Sequence, residues 1–136
     1  MLSQTAEYAL RAVLAIARSR GEAIGASTLA KQVGVPPNYL AKTLNVLVRN
    51  GVLVGSRGRN GGFRLAKRAS QIPLLDVVTP FDDIRPGRRC LLGRPTCSDQ
   101  NPCAAHSRWR GVSQRIGDFF AETTVEDVSA GSVSGQ

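Results

Sequence analysis

Val52-Leu53-Val54-Gly55-Ser56-Arg57-Gly58-Arg59-Asn60-Gly61-Gly62-Phe63-Arg64-Leu65 decides the fold of this 136-residue chain. Val52-Leu53-Val54 and Phe63-Arg64-Leu65 read as two short strands, with Arg57-Gly58-Arg59-Asn60-Gly61-Gly62 as the turn between them. Asn60-Gly61 is a hairpin signal, because the favoured tight turn needs positive φ at both central positions, and asparagine and glycine tolerate it best. Everything before this hairpin has helical rather than alternating periodicity. Residues 5–19 place Ala6, Ala9, Leu10, Val13, Leu14, Ile16 and Ala17 on one broad apolar face, and Gly21 stops the helix. A second, short helix spans 26–33, with Leu29, Ala30 and Val33 inward and Gly34 just past its end. Pro37 suits the first turn of a third helix, which runs to Arg49 and stops at Asn50-Gly51. Its apolar stripe is Leu40, Leu44, Leu47 and Val48, and its opposite face carries Asn38, Lys42, Asn45 and Arg49 with Tyr39 on the flank. Two helices, a short turn, a third helix and a basic hairpin make a winged helix-turn-helix. The fold class expected is therefore mainly α with a small β-hairpin.

Downstream, Pro73 and Pro80 bracket a short helix over 73–79, and residues 81–101 have little periodicity. Asn101-Pro102 has the form of a helix cap, opening a long helix to about residue 121 whose stripe is Trp109, Val112, Ile116, Phe119 and Phe120. That stripe is large for so small a protein. It can close the chain's own core, or pack against its twin in a two-fold dimer that would match a palindromic operator. Thr124 can cap one more turn over 125–128, and the Gly/Ser-rich end reads as disordered. The segments expected are a winged domain over 1–80, a cysteine loop over 81–103, a dimerisation helix with its terminal turn over 102–128, and a disordered tail over 129–136.

Composition narrows the partners. At 42% hydrophobic, the chain can bury a core without disulfide staples. It has no apolar run of about 18 residues, so no membrane partner is expected, and its first residues lack a basic-then-apolar signal pattern. A cytoplasmic location follows as the expectation. Residues 1–68 hold 11 Lys/Arg against 2 Asp/Glu, a net of +9, whereas residues 69–136 hold 7 against 8, a net of −1. The charge is thus concentrated in the winged half, and double-stranded DNA is its natural partner. Asn38, Tyr39 and Lys42 lie at the start of the recognition helix, where base edges are met. Arg57, Arg59 and Arg64 are the hairpin's contribution, and an arginine on a glycine-flanked tip suits a narrow minor groove. Lys67 and Arg68 suit phosphate contacts.

All three cysteines and the one histidine fall within 17 residues, as Cys90, Cys97, Cys103 and His106 in the pattern C-x6-C-x5-C-x2-H. In a reducing compartment such a cluster reads as a metal or redox site rather than a disulfide framework. Cys103 and His106 share one face at the start of the long helix, where free N–H groups favour a thiolate. Three chemistries fit: a zinc site, an iron–sulfur cluster, and a metal-free thiol switch. An enzymatic reading is poor, since no nucleophile, base and orienting group appear beyond Cys103 and His106, and no cofactor motif is present.

The chain resembles the Rrf-two family of bacterial regulators over nearly its whole length. The resemblance is carried by Leu2-Ser3, Tyr8-Ala9-Leu10-Arg11, Leu29-Ala30, Pro37-Asn38-Tyr39-Leu40 and Asn50-Gly51. Its most specific stretch is the wing from Arg57 through Gly61-Gly62-Phe63-Arg64-Leu65-Ala66, and Cys90, Cys97, Asn101-Pro102-Cys103, His106 and Trp109 complete it. It implies a winged-helix dimer crossed by long helices and cluster-dependent control of transcription. It also implies Cys90, Cys97 and Cys103 as ligands of an iron–sulfur cluster, 2Fe–2S or 4Fe–4S. By resemblance the fourth ligand is His106, as in IscR-like members, or Glu7, as in NsrR-like members, where a carboxylate reaches over from the partner subunit. Two positions depart from the pattern: the Cys90–Cys97 spacing is one residue longer, and Ala41 stands where IscR-like members carry an acid.

Overall fold

The computed structural model describes residues 2–84 and 106–130. Helix α1 (Gln4–Arg18) is the hub, with α2 (Ala26–Val33), α3 (Pro37–Arg49), strand β2 (Gly62–Leu65), α4 (Leu74–Val78) and α6 (Val125–Val128) all packed on it. Its buried face is built largely from small side chains, namely Ala6, Ala9, Ala12 and Ala15 with Val13 and Ile16. Small residues let neighbouring helices approach closely on several sides at once. Against that face lie Leu29, Ala30 and Val33 of α2, Leu40, Leu44 and Leu47 of α3, and Val77 and Val78 of α4.

The turn between α2 and α3 is set by Gly34, at φ 71°, whose N–H bonds the carbonyl of Ala30 at 3.0 Å, as does that of Val35 at 3.1 Å. This left-handed cap is the glycine-ended helix stop expected from the sequence. Pro37 occupies the first turn of α3 as expected. The hairpin pairs strand β1 (Leu53–Ser56) with β2, antiparallel, Leu53 opposite Leu65 and Ser56 opposite Gly62. Strand β1 starts one residue later than the alternation suggests. The reason is that the Val52 N–H closes α3 on the Leu47 carbonyl at 3.0 Å, leaving only the Val52 carbonyl to accept from Ala66.

One feature of the wing carries no sequence pattern. Ile24, in the link between α1 and α2, forms an antiparallel bridge to Phe63, with N–H···O bonds of 3.1 and 2.8 Å in the two directions. The wing is therefore sewn to the helical body along its second edge. Gly62 makes this possible: at φ 139°, any Cβ on it would lie 2.4 Å from the Ile24 carbonyl carbon.

After β2 come a single 3-10 turn (Ala69–Gln71) and α4, one residue shorter at each end than the prolines suggest. Helix α5 is described over His106–Glu122, and α6 follows behind Thr124. Thr124 and Asp127 form a reciprocal capping box, with bonds of 3.2 and 2.9 Å. This C-terminal part folds back onto the winged body: Leu74 N–H bonds the Thr123 carbonyl at 2.8 Å, and Val125 N–H bonds the Ile72 carbonyl at 2.9 Å. Phe120 and Val125 join the core of α1, α4 and Ile72. The expected cysteine loop from residue 85 on, the beginning of the long helix and most of the expected tail lie outside the described residues.

Candidate nucleic-acid interface and cysteine segment

Helix α3 buries Leu40, Thr43, Leu44 and Leu47 and turns Asn38, Tyr39, Lys42, Asn45 and Arg49 outward. The Thr43 hydroxyl donates to the Tyr39 carbonyl at 3.1 Å, which satisfies a buried polar group inside the helix. Beside α3, the hairpin presents Arg57 and Arg59 in its turn and Arg64 on β2, all exposed. Alternation explains Arg64: it points out between the half-buried Phe63 and Leu65. None of Lys42, Arg57, Arg59 or Arg64 is in an ion pair among the described residues. Helix and wing thus offer unneutralised cations on adjacent elements, the arrangement that attracts a phosphate backbone.

Tyr39 is 61% exposed, yet its ring is not free-standing. It meets Tyr8 of α1 edge to face, with ring centroids 6.5 Å apart and planes at 78°. The Arg11 guanidinium lies 5.6 Å from the centre of the Tyr8 ring and 3.9 Å from the Glu7 carboxylate. Sequence reasoning did not assign Tyr8 and Arg11 to the site. The spacing of Arg11 to Tyr8 and to Glu7, three and four residues, was a signal for neighbouring side chains on α1, but nothing in it pointed to α3.

Glu7, the alternative fourth ligand, is an exposed carboxylate in the first turn of α1, where it also suits the helix dipole. Cys90, Cys97 and Cys103 lie outside the described residues, as does the side chain of His106. Among the described residues no group of three or more His, Cys, Asp and Glu side chains is placed to hold a metal ion. Likewise, no described helix is long and apolar enough to cross a membrane.

The stripe on α5 divides. Phe120 is buried in the chain's own core and Ile116 is half-buried, whereas Val112 and Phe119 are 48% and 51% exposed. Val112, Ile116, Phe119 and Phe120, with Arg115, line a shallow apolar hollow on the outside of the helix.

A family described as Rrf2, iron-dependent transcriptional regulator, matches residues 2–131. An HTH-type transcriptional regulator of Aquifex aeolicus is 35% identical over 130 residues, covering 94% of this chain and 90% of that protein. The regulator IscR of Pectobacterium atrosepticum is 30% identical over 128 residues, covering 93% and 77%. Among solved structures, CymR, the global cysteine regulator of B. subtilis, superposes with a TM-score of 0.80 at 18% identity, covering 96% of both chains. IscR of T. potens superposes with a TM-score of 0.73 at 21% identity, covering 93% and 84%. The relatives are regulators of transcription rather than enzymes, as the missing catalytic set led one to expect. With its helix-turn-helix, its wing and a family match over almost its entire length, the chain belongs to the Rrf2 family of DNA-binding transcriptional regulators.

Proposed function

We propose that the protein is a homodimeric, cytoplasmic regulator whose affinity for a palindromic operator follows the state of an iron–sulfur centre. The observation that carries the DNA half is the outward face of α3 and the wing, where Lys42, Arg57, Arg59 and Arg64 stand without carboxylate partners among the described residues. Asn38, Tyr39 and Lys42 enter the major groove from the first turns of α3. Arg57 and Arg59 follow the neighbouring minor groove, and Arg64 contacts the backbone. The exposed Val112 and Phe119 on α5 pack against the same residues of a second copy, which sets two reading heads on one two-fold axis.

For the sensor half, the donor set itself supports the reading. Three thiolates from Cys90, Cys97 and Cys103, completed by His106 or by Glu7 of a second subunit, suit iron–sulfur coordination. When bound, the cluster supplies a redox- and ligand-sensitive centre, open to oxygen, nitric oxide or iron shortage. The chain's own part is to couple that segment to α5, which is described from His106, three residues after Cys103 in the sequence, and ends in the core of the winged body.

A second reading has its own support. CymR shares the fold, and CymR of Staphylococcus aureus has been solved in an oxidized form. A metal-free thiol switch would need only two of the three cysteines, and a zinc-stabilised regulator all three with His106.

The test is an absorption spectrum of anaerobically purified protein, with iron, sulfide and zinc assayed on the same sample. Visible absorbance with matched iron and sulfide is the expected result. A colourless protein with one zinc per chain makes the site structural. A colourless, metal-free protein that regains nothing on reconstitution leaves the thiol switch.

A further inference from the structure

The start of α1 is fixed by a residue far along the chain. Ser3 caps the helix, its hydroxyl accepting from the Ala6 N–H at 3.1 Å. The N–H of Ser3 in turn donates to a carboxylate oxygen of Asp82 at 2.6 Å. Asp82 is 7% exposed, just beyond α4, so its side-chain acceptor is held in a sheltered place beside a helix N-terminus. One turn further along α1, Tyr8 is half-buried between two groups: the Arg11 guanidinium of its own helix and the ring of Tyr39 on α3. The Tyr8–Tyr39 geometry falls within the favoured edge-to-face range for aromatic pairs. Tyr39 otherwise projects into solvent from the first turn of α3, where a ring has several rotamers to choose from.

We infer that Asp82 and Tyr8 are positioning residues for DNA reading. Asp82 sets where α1 begins, and Tyr8, carried by α1, holds the Tyr39 ring in the orientation that meets the duplex. A side chain already held in one rotamer loses less freedom on docking, so the pair tightens binding to the matched sequence. The inference rests on α3 entering the groove as proposed above.

The experiment uses the full chain, fluorescence anisotropy, and two duplexes: one selected by the wild-type protein from a random library, and a scrambled duplex of equal length. If the wild-type protein selects no duplex, the DNA-reading proposal fails, and this inference fails with it. Given a selected duplex, Tyr8→Leu keeps apolar bulk but removes the ring. It is expected to weaken binding to the selected duplex about fivefold and to the scrambled one by less than about twofold. Tyr8→Phe keeps the wild-type affinity, because the edge contact needs no hydroxyl. In a Tyr39→Ala background, Tyr8→Leu has no further effect, since its partner is gone. Asp82→Ala shows the same selective loss, and Asp82→Asn, which retains an acceptor oxygen, recovers most of it. The inference is overturned by unchanged affinity in Tyr8→Leu, by equal loss on both duplexes, or by an undiminished Tyr8→Leu effect in the Tyr39→Ala background. It is likewise overturned if binding loss across these variants tracks their loss of melting temperature, which would make both residues merely structural.

Discussion

Replacing Gly62 by alanine tests how the wing is held. At φ 139°, Gly62 occupies backbone space that residues with a Cβ rarely enter, and holding alanine there costs about 1–3 kcal/mol. The added Cβ would also stand 2.4 and 2.5 Å from the carbonyl carbon and oxygen of Ile24, and 2.8 Å from the nitrogen of Gly25. These are backbone atoms, so they cannot swing aside as a flexible side chain would. The wing must move off the body, and with it go the two hydrogen bonds between Ile24 and Phe63. At about 1 kcal/mol each, their loss brings the total to roughly 3–5 kcal/mol. For a chain of this size that corresponds to about 10–15 °C in melting temperature. Gly58→Ala is the control. Gly58 has φ 102°, yet a Cβ there would meet nothing within 4 Å, so only the backbone strain is felt. Differential scanning calorimetry on both variants, alongside urea titrations, separates the two contributions. If Gly62→Ala is no more destabilising than Gly58→Ala, the Ile24 bridge does not hold the wing and the reasoning is wrong.

Three further outcomes are expected. Arg59→Ala weakens binding to a selected duplex by about 1–3 kcal/mol at fixed salt if the side chain enters the groove, and an unchanged affinity removes the wing tip from the interface. Lys42→Ala relaxes base preference when the selection is repeated with the variant, whereas a uniform loss over all sequences, with a shallower salt dependence, marks Lys42 as a phosphate contact. Phe119→Glu places a charge on the exposed α5 face and is expected to abolish the dimer proposed above, leaving a monomer in sedimentation velocity runs. A dimer of wild-type stability in that variant would move the subunit contact elsewhere.

The parts of the fold legible in the sequence are those whose determinants lie side by side in the chain. The hairpin lies where Asn60-Gly61 put it, but the positive φ expected of that pair falls instead on Gly58 and Gly62, which flank it. Gly34 and Pro37 marked the turn before the recognition helix, and Thr124 the last helical turn, because each acts on backbone within a few residues. The Ile24–Phe63 bridge was illegible for the opposite reason. It involves a single residue in a connecting segment, too short to show alternation, and its partner is remote. The same holds for the bonds joining residues 72–74 to 123–125. The α5 stripe shows a subtler failure. Phe119 and Phe120 are neighbours in sequence and their rings touch edge to face at 5.3 Å, but successive helical positions point in different directions. One fills the core and the other faces outward. Apolar spacing alone had counted them together, although they serve different surfaces.

The candidate site divides along similar lines. The cationic face was readable because cations without nearby carboxylates are visible in composition, and the cysteine cluster because every cysteine and the lone histidine fall in one short segment. Tyr8 and Arg11 could not be assigned, since α1 and α3 meet only in three dimensions. The fold also constrains how α5 can act. Its C-terminal end is anchored by Phe120 in the core, by the Leu74–Thr123 bond and by Val125 beneath Ile72. Sliding the helix along its axis would break these contacts together. In the sensing homodimer proposed above, a signal arriving at the His106 end would be taken up as a tilt or rotation of α5 about that anchor. Such a motion would carry Val112 and Phe119 with it and alter the angle between the two subunits. Because palindromic half-sites demand a fixed separation of the two recognition helices, a small change in that angle is enough to favour or disfavour simultaneous docking.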